Sequence, residues 1–182
     1  MFSRGFVFGV AASAAVVCVT RMLKNRQKNR RKRVYVSGCF DLLHSGHVAF
    51  FKEAAALGQL YVSVGNDANI TGLKAAPMFP ESERVYMVGS IRWVTEAFIA
   101  HGMGHDQGAD LDYVKPDIFF VNHDGDKEIK RRQCAERGIE YVVAARTPDA
   151  GLDERSSTSI KAGLAEKKKF ETPEKRTSTT RP

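Results

Sequence analysis

The chain has 182 residues, enough for one domain of ordinary size and too few for two. Its hydrophobic fraction of 43% and charged fraction of 27% exclude a disordered polypeptide, and its three cysteines stand at unrelated spacings that exclude a disulfide framework. The net charge of +7 belongs to the two ends, because residues 1–40 hold nine basic residues and no acid, whereas residues 41–160 hold 12 basic and 18 acidic ones. This acidic middle does not support a globular face that binds nucleic acid.

The first predicted element is an uncharged stretch at residues 5–20, followed by a basic cluster at residues 21–33. Its 16 residues would span about 24 Å as a helix, and extension to residue 23 approaches the roughly 30 Å of a bilayer core. Residues 5–23 are therefore predicted to be a hydrophobic helix that anchors the protein in a membrane, with the domain on the cytosolic side. The alternative is a targeting segment that is cleaved in an organelle, a mitochondrion or a plastid.

Short apolar runs alternate with helical periodicity from Val34 onward. Five strands are predicted, at residues 34–36, 60–64, 94–99, 118–121 and 141–144. Helices are predicted at residues 48–57, 81–91 and 127–137, and a long loop at residues 65–80. Strands that alternate with helices predict an α/β fold, a Rossmann-like open sheet of five parallel strands with helices on both faces.

Three regions follow from these elements. Residues 1–33 form the anchor or targeting segment with its basic linker, and residues 34–164 form the folded domain. Residues 165–182 are polar and rich in lysine, which predicts a disordered tail.

Two histidines follow the first predicted strand, in the string GCFDLLHSGH at residues 38–47. Open α/β sheets bind ligands beyond the carboxyl ends of their strands, so a nucleotide is expected at this turn. His44 and His47 are three residues apart at the start of a helix and are expected to share one of its faces. Gly38 and Gly46 leave room for a ligand, and the N–H groups of the helix start favour a phosphate. Two histidines without further ligands do not predict a protein-held metal site.

The longer string VSGCFDLLHSGHVAF resembles the first signature of the cytidylyltransferase-like nucleotidyltransferases, which carry an HxGH motif. The resemblance covers residues 34–161 and points to the glycerol-3-phosphate and ethanolamine-phosphate cytidylyltransferases. More distant members are adenylyltransferases that act on phosphopantetheine, nicotinamide mononucleotide or flavin mononucleotide. The resemblance implies a nucleotidyltransferase domain in which the two histidines contact the α-phosphate.

A second string, RSSTSIK at residues 155–161, is similar to the closing motif of the same family. The resemblance assigns the β- and γ-phosphates to four of its residues: Arg155, Ser156, Ser157 and Thr158. A run of Ser and Thr is also an ordinary helix N-cap, which is the structural alternative. Arg146 with Thr147 resembles an arginine-threonine pair that precedes this motif in the glycerol-phosphate enzyme, so either Arg146 or Arg155 can take the role of that arginine.

Other family positions are filled, with one departure. Lys74 stands where the cytidylyltransferases have a lysine that contacts phosphates, and its alternative is an ordinary surface lysine. Glu83 and Arg84 match a family pair that otherwise makes a local ion pair. The string VNHDGD at residues 121–126 departs from the family pattern and indicates a different acceptor pocket. The chain contains no P-loop sequence, which excludes the common class of kinases that depend on one.

The resemblance implies a cytidylyltransferase that transfers CMP from CTP to a phosphorylated small molecule and releases pyrophosphate. His44, His47 and Lys74 are the expected catalytic residues. The nucleotide site is completed by Gly38, Phe40, Asp41 and Gly46. Mg²⁺ is expected with the triphosphate, near Asp41, and family members often form homodimers. The alternatives are an adenylyltransferase that uses ATP and a membrane-tethered nucleotide-binding module without turnover.

Overall fold

The structure is a computed structural model that describes residues 16, 30–73, 75–144, 148 and 150–170. The chain divides into two units, residues 1–31 and residues 32–182. Of the first unit the structure describes residues 16, 30 and 31, so the architecture below is that of the second unit.

Five parallel strands form one sheet in the order β3–β2–β1–β4–β5. They are β1 (Arg33–Gly38), β2 (Gln59–Val64), β3 (Val94–Ile99), β4 (Ile118–Asn122) and β5 (Glu140–Ala144). The direction of strand addition reverses between β1 and β4, which are direct neighbours. Such a reversal opens a crevice at the carboxyl ends of the two strands, where open α/β sheets bind ligands. The predicted five-stranded Rossmann-like sheet is confirmed.

Helices cover both faces of this sheet. They are α1 (Ser45–Ala56), α2 (Asp67–Leu73), α3 (Glu81–Gly89), α4 (Gly108–Val114), α5 (Glu128–Arg137) and α6 (Ser157–Phe170). One apolar cluster joins β1 to α1 and α3 through Val34, Val36, Phe50, Phe51 and Val88. A second cluster, on the opposite face, joins β1 and β4 to α4 and α5 through Tyr35, Phe119, Leu111, Val114 and Cys134. The alternation of side chains along β1 therefore sends successive residues into two separate cores.

The sequence did not predict two of the short helices. Residues 65–80 were expected to be a loop, but α2 occupies Asp67–Leu73 within that range. Asn66 caps this helix, because its Oδ1 accepts a hydrogen bond from the Asn69 N–H (2.7 Å). Helix α4 has seven residues, too few for helical periodicity to mark it. Helix α1 also begins three residues before its predicted start, because His44 caps it.

The predicted tail at residues 165–182 begins inside α6, which continues to Phe170. Lys and Glu, which dominate this part of the sequence, are good helix formers. Residues 171–182 lie outside the described residues. The domain boundary predicted at residue 164 therefore falls within α6 and stays a prediction.

The predicted membrane location needs correction. In the described part of the chain, no helix combines the length and apolar character needed to cross a bilayer. The longest helix there is α6, whose 14 residues fall short of the roughly 20 that a span requires. The anchor predicted at residues 5–23 lies outside the described residues except for Val16, and so does the alternative targeting segment.

Candidate active site

A cleft of about 800 Å³ lies at the carboxyl ends of β1, β2 and β4. It brings together nine of the site residues predicted from the sequence: Gly38, Phe40, Asp41, His44, Gly46, His47, Ser156, Ser157 and Thr158. The two strings that resemble the family motifs are therefore neighbours in space, although more than 100 residues separate them along the chain (Ser157 contacts Leu42, 115 residues away). Lys74 and Arg146 lie outside the described residues, so their roles stay predictions.

His44 caps helix α1 with its own side chain. Its backbone is extended (φ −140°, ψ 171°), and its Nδ1 accepts a hydrogen bond from the Gly46 N–H at 3.1 Å. A neutral imidazole that accepts through Nδ1 carries its proton on Nε2. His44 therefore presents an N–H donor on the side of the ring away from the helix cap.

His47 stacks on His44, with ring centroids 3.9 Å apart and 26° between the planes. The rings of Phe40 and His47 pack edge to face, with centroids 5.3 Å apart. Phe40 is 5% exposed and has a left-handed backbone (φ 50°), a strained conformation for a bulky residue. A Cβ on Gly38 would lie 2.7 Å from the Phe40 ring. Gly38 and Phe40 thus form the floor beneath His47.

Helix α6 begins with a reciprocal cap. Ser156 Oγ accepts from the Ser159 N–H at 3.1 Å, and Ser159 Oγ in turn lies 3.4 Å from the Ser156 N–H. Ser157 Oγ donates to the Leu42 carbonyl at 3.4 Å, which joins the start of α6 to the loop after β1. The capping role is thus observed at Ser156, and phosphate binding, the other role considered from the sequence, stays a prediction. The N–H groups and positive end of a 14-residue helix favour an anion here.

Asp41 joins the loop after β1, in which it lies, to the segment at Met78 and Phe79 and to helix α6. It is 3% exposed, and its Oδ1 accepts from the N–H groups of Met78 (2.7 Å) and Phe79 (3.1 Å). Its Oδ2 forms an ion pair with Lys161 Nζ of α6 at 2.5 Å. Burial alone would raise the pKa of Asp41, but the hydrogen bonds from Lys161, Phe79 and Met78 outweigh it and hold the pKa below its usual range.

Because both oxygens of Asp41 are engaged, the carboxylate does not fit a Mg²⁺ ligand in this arrangement. Among the residues that the structure describes, no three His, Cys, Asp or Glu side chains are grouped to hold a metal ion.

Arg84 organises the strand ends behind the cleft. Its side chain is fully buried. Four oxygen atoms accept from its guanidinium: the carbonyls of Cys39 (2.6 Å), Gly65 (2.8 Å) and Phe79 (2.9 Å), and Oδ1 of Asp67 (2.6 Å). The planar fork of arginine suits such a set of fixed acceptors. The local ion pair considered from the sequence exists, but with Asp67 and not with the adjacent Glu83.

Arg155 does not line the main cleft. Its guanidinium pairs with Asp153 (3.2 Å) and borders a small neighbouring depression that also contains Pro148 and Leu152. Its backbone carbonyl lies close to α1, since a Cβ on Gly46 would approach it to 3.3 Å. The phosphate contact of Arg155 stays a prediction, and from this position its side chain would have to leave Asp153 to make that contact.

Two features of the cleft were not predicted from the sequence. The first is a polar network that reaches the cleft through Ser63, in which buried Asp110 accepts from Tyr35 (3.0 Å), Ser63 (2.6 Å) and the His101 N–H (2.9 Å). Burial and the adjacent Asp110 raise the pKa of Tyr35 well above its ordinary value. A polar residue at an inward strand position, such as Ser63 in QLYVSV, is the signal that could have found it. The second is Lys130 of α5, which gives no signal in the sequence because charged residues surround it.

The chain is similar to known proteins both in sequence and in fold. The Cytidylyltransferase-like family model matches residues 35–163. A protein named FAD synthase from Methanopyrus kandleri is 40% identical over 120 residues, which cover 62% of this chain and 77% of the relative. A FAD synthase from Methanocella paludicola is 35% identical over 137 residues, or 74% of this chain and 96% of the relative.

Among solved structures, a lipopolysaccharide core biosynthesis protein from Thermoplasma volcanium GSS1 has a fold similar to that of this chain. It is 28% identical, covers 62% of this chain and 93% of its own length, and superposes with a TM-score of 0.55. A protein from Archaeoglobus fulgidus, at 19% identity and a TM-score of 0.53, shares the fold.

Proposed function

Because this chain belongs to the cytidylyltransferase-like family and is a nucleotidyltransferase, we propose that it transfers an adenylyl group from ATP to a phosphorylated acceptor, with flavin mononucleotide as that acceptor. The observation that carries the proposal is the single cleft lined by the stacked imidazoles and by the start of α6. Such a cleft suits a nucleoside triphosphate, because the imidazoles can contact its α-phosphate while the start of α6 holds its outer phosphates.

The reaction makes one phosphorus–oxygen bond and breaks another. An oxygen of the acceptor phosphate attacks the α-phosphorus in line, and the bond from that phosphorus to the bridging oxygen breaks, which releases pyrophosphate. Little covalent chemistry falls to a protein in such a transfer, so positioning and charge stabilisation account for most of the rate. In the proposal, the Nε2–H of His44 and the ring of His47 contact the α-phosphate, and the start of α6 holds the departing pyrophosphate.

The choice of ATP rests on the relatives. FAD consists of flavin mononucleotide joined to an AMP unit, so its synthesis from that mononucleotide requires an adenylyl donor. The CTP preference predicted from the sequence is not confirmed, and the adenylyltransferase alternative has the better support. Mg²⁺ enters the proposal as a partner of the triphosphate, as is general for nucleotidyltransferases.

The test uses the full chain with Mg²⁺, flavin mononucleotide and either ATP or CTP. Pyrophosphate release and chromatographic detection of the dinucleotide are measured together. We expect FAD from ATP and a much slower reaction with CTP. Removal of one group that stabilises transferred charge costs about 10²–10³ in rate, so His47→Ala is expected to lose that much.

The matched control is His123→Ala, since His123 is exposed and does not line the cleft. This control is expected to keep the parental rate. Turnover of His47→Ala within a few-fold of the parent would contradict the assignment of the imidazoles, and faster turnover of CTP would contradict the adenylyl donor.

A further inference from the structure

Lys130 is a buried cation at the edge of the cleft. It lies in the first turn of α5, is 6% exposed and contributes to the lining of the cleft. Its Nζ donates to the Gly125 carbonyl at 3.1 Å and lies 5.5 Å from the centre of the Phe119 ring. A lysine is seldom buried to this extent without a charged partner.

The ammonium group has donors to spare. It carries three N–H groups, and in the described part of the chain the Gly125 carbonyl accepts one of them. None of the ion pairs there includes Lys130. The neighbouring carboxylate of Asp126 is paired with Arg131. Two N–H groups of this cleft-lining residue are therefore available to a ligand.

The position of Lys130 separates it from the groups assigned to the triphosphate. The imidazole of His47 packs on Phe40, which belongs to the cluster beneath α1 and α3. Lys130 instead contacts Phe119, which belongs to the cluster beneath α4 and α5 on the opposite face of the sheet. The cleft thus crosses the carboxyl ends of the strands from one face to the other.

Charge balance indicates which substrate meets Lys130. Both proposed substrates carry phosphate, so the second anion to bind needs cations of its own. The described lysines that line the cleft are Lys127, Lys130 and Lys161. Lys161 is paired with Asp41, which leaves the two lysines at the start of α5 for an incoming anion.

We propose that Lys130 is a binding residue for the phosphorylated acceptor and donates a charge-assisted hydrogen bond to one of its oxygen atoms. This proposal rests on the proposed function, since it assumes two phosphorylated substrates in one cleft. In this arrangement the triphosphate binds between α1 and α6, and the acceptor binds on the α5 side of the cleft.

The first test separates the Michaelis constants of the two substrates, with flavin mononucleotide as the acceptor probe. Lys130→Met is expected to raise the KM for flavin mononucleotide by about 10- to 100-fold, the range for a hydrogen bond to a charged group. The KM for ATP is expected to stay within about twofold. Arg132→Met is the matched control, because Arg132 lies on the same helix with an exposed side chain.

The second test is a pH profile, which a merely structural lysine would not affect. Burial lowers the pKa of Lys130 to about 8, the charge of Lys127 lowers it as well, and the charges of Asp124 and Asp126 oppose these two effects. Between pH 7 and pH 9 the acceptor phosphate is already doubly ionised, and burial keeps Cys134 neutral with a pKa of about 11. The parental KM for flavin mononucleotide is therefore expected to rise above pH 8, and Lys130→Arg is expected to remove that rise.

The outcomes distinguish the two proposals. If the parent makes FAD but Lys130→Met leaves the KM for flavin mononucleotide unchanged, or raises the KM for ATP equally, the role of Lys130 is overturned and adenylyl transfer stands. If Lys130→Met does not fold, the pH profile of Lys130→Arg provides the test. A KM for flavin mononucleotide that still rises above pH 8 in Lys130→Arg overturns the role of Lys130. If the parent neither makes FAD nor quenches flavin fluorescence on binding, the proposed function fails and the role of Lys130 fails with it.

Discussion

Gly46 lies between the imidazole of His44 and the backbone of Arg155. A Cβ at this position would stand 3.0 Å from His44 Cε1 and 3.3 Å from the Arg155 carbonyl oxygen, tighter than ordinary contacts. The ring of His44 or the strand-to-helix segment at Arg155 would have to move. Because His44 also stacks on His47, a displacement of one ring is transmitted to the other.

We expect Gly46→Ala to lower the rate of nucleotidyl transfer by up to about 10²-fold, the effect of misplacing a catalytic group by about 1 Å. Steady-state turnover measures the loss. Gly163→Ala is the matched control, because Gly163 lies in α6 and a Cβ there meets nothing within 4 Å. The control is expected to keep its activity and to gain up to about 1 kcal/mol in the free energy of unfolding. Full activity in Gly46→Ala would show that the ring of His44 has room that the structure does not indicate.

At the scale of elements, Asp41 and Lys161 join the loop after β1 to helix α6. A carboxyl group whose pKa is lower in the folded state stabilises the fold above its unfolded pKa of about 3.9, and this stabilisation disappears as the pH falls through the folded pKa. The buried ion pair is therefore a source of stability at neutral pH and not in acid.

Asp41→Asn is expected to lower the free energy of unfolding by about 1.5–3 kcal/mol at pH 7. The difference from the parent is expected to shrink as the pH falls below about 4, because the parental carboxylate then gains its proton. Urea unfolding at pH 7 and pH 3 measures both values. Glu53→Gln, which changes an exposed carboxylate in α1, serves as the control. A difference that persists undiminished at pH 3 would rule out the ion pair as its source.

At the scale of the whole molecule, a ligand that bridges α1 and α6 should stabilise the folded domain. A non-hydrolysable ATP analogue at 100 times its Kd adds about 2.7 kcal/mol, which raises the Tm of a domain of this size by roughly 5–10 °C. AMP at the same concentration is expected to produce a smaller shift, because it lacks the phosphates assigned to the start of α6. Thermal unfolding monitored by circular dichroism measures both shifts. Equal shifts with AMP and the analogue would contradict the assignment of the pyrophosphate to α6.

The sequence predicted the sheet well because each strand is a short apolar run that its neighbours bury. It also predicted that the segments around His44 and Ser156 share one cleft. That prediction came from the resemblance to a family in which both motifs contact the same nucleotide, because the two segments lie far apart along the chain. It could not predict Arg84 as a buried connector, because its acceptors are backbone carbonyls that any sequence supplies. It could not predict Lys130 either, since burial of a lysine depends on how α5 lies on Phe119.

The contact between Ser157 and Leu42 spans 115 residues of chain. A ribosome therefore completes all five strands before it releases the helix that closes the cleft. A nascent chain that ends after β5 has both imidazoles and the whole sheet but lacks the second wall of the triphosphate site. A chain truncated before α6 would lack the helix start that the proposal assigns to the leaving pyrophosphate, so competence for catalysis is expected only after α6 has been synthesised.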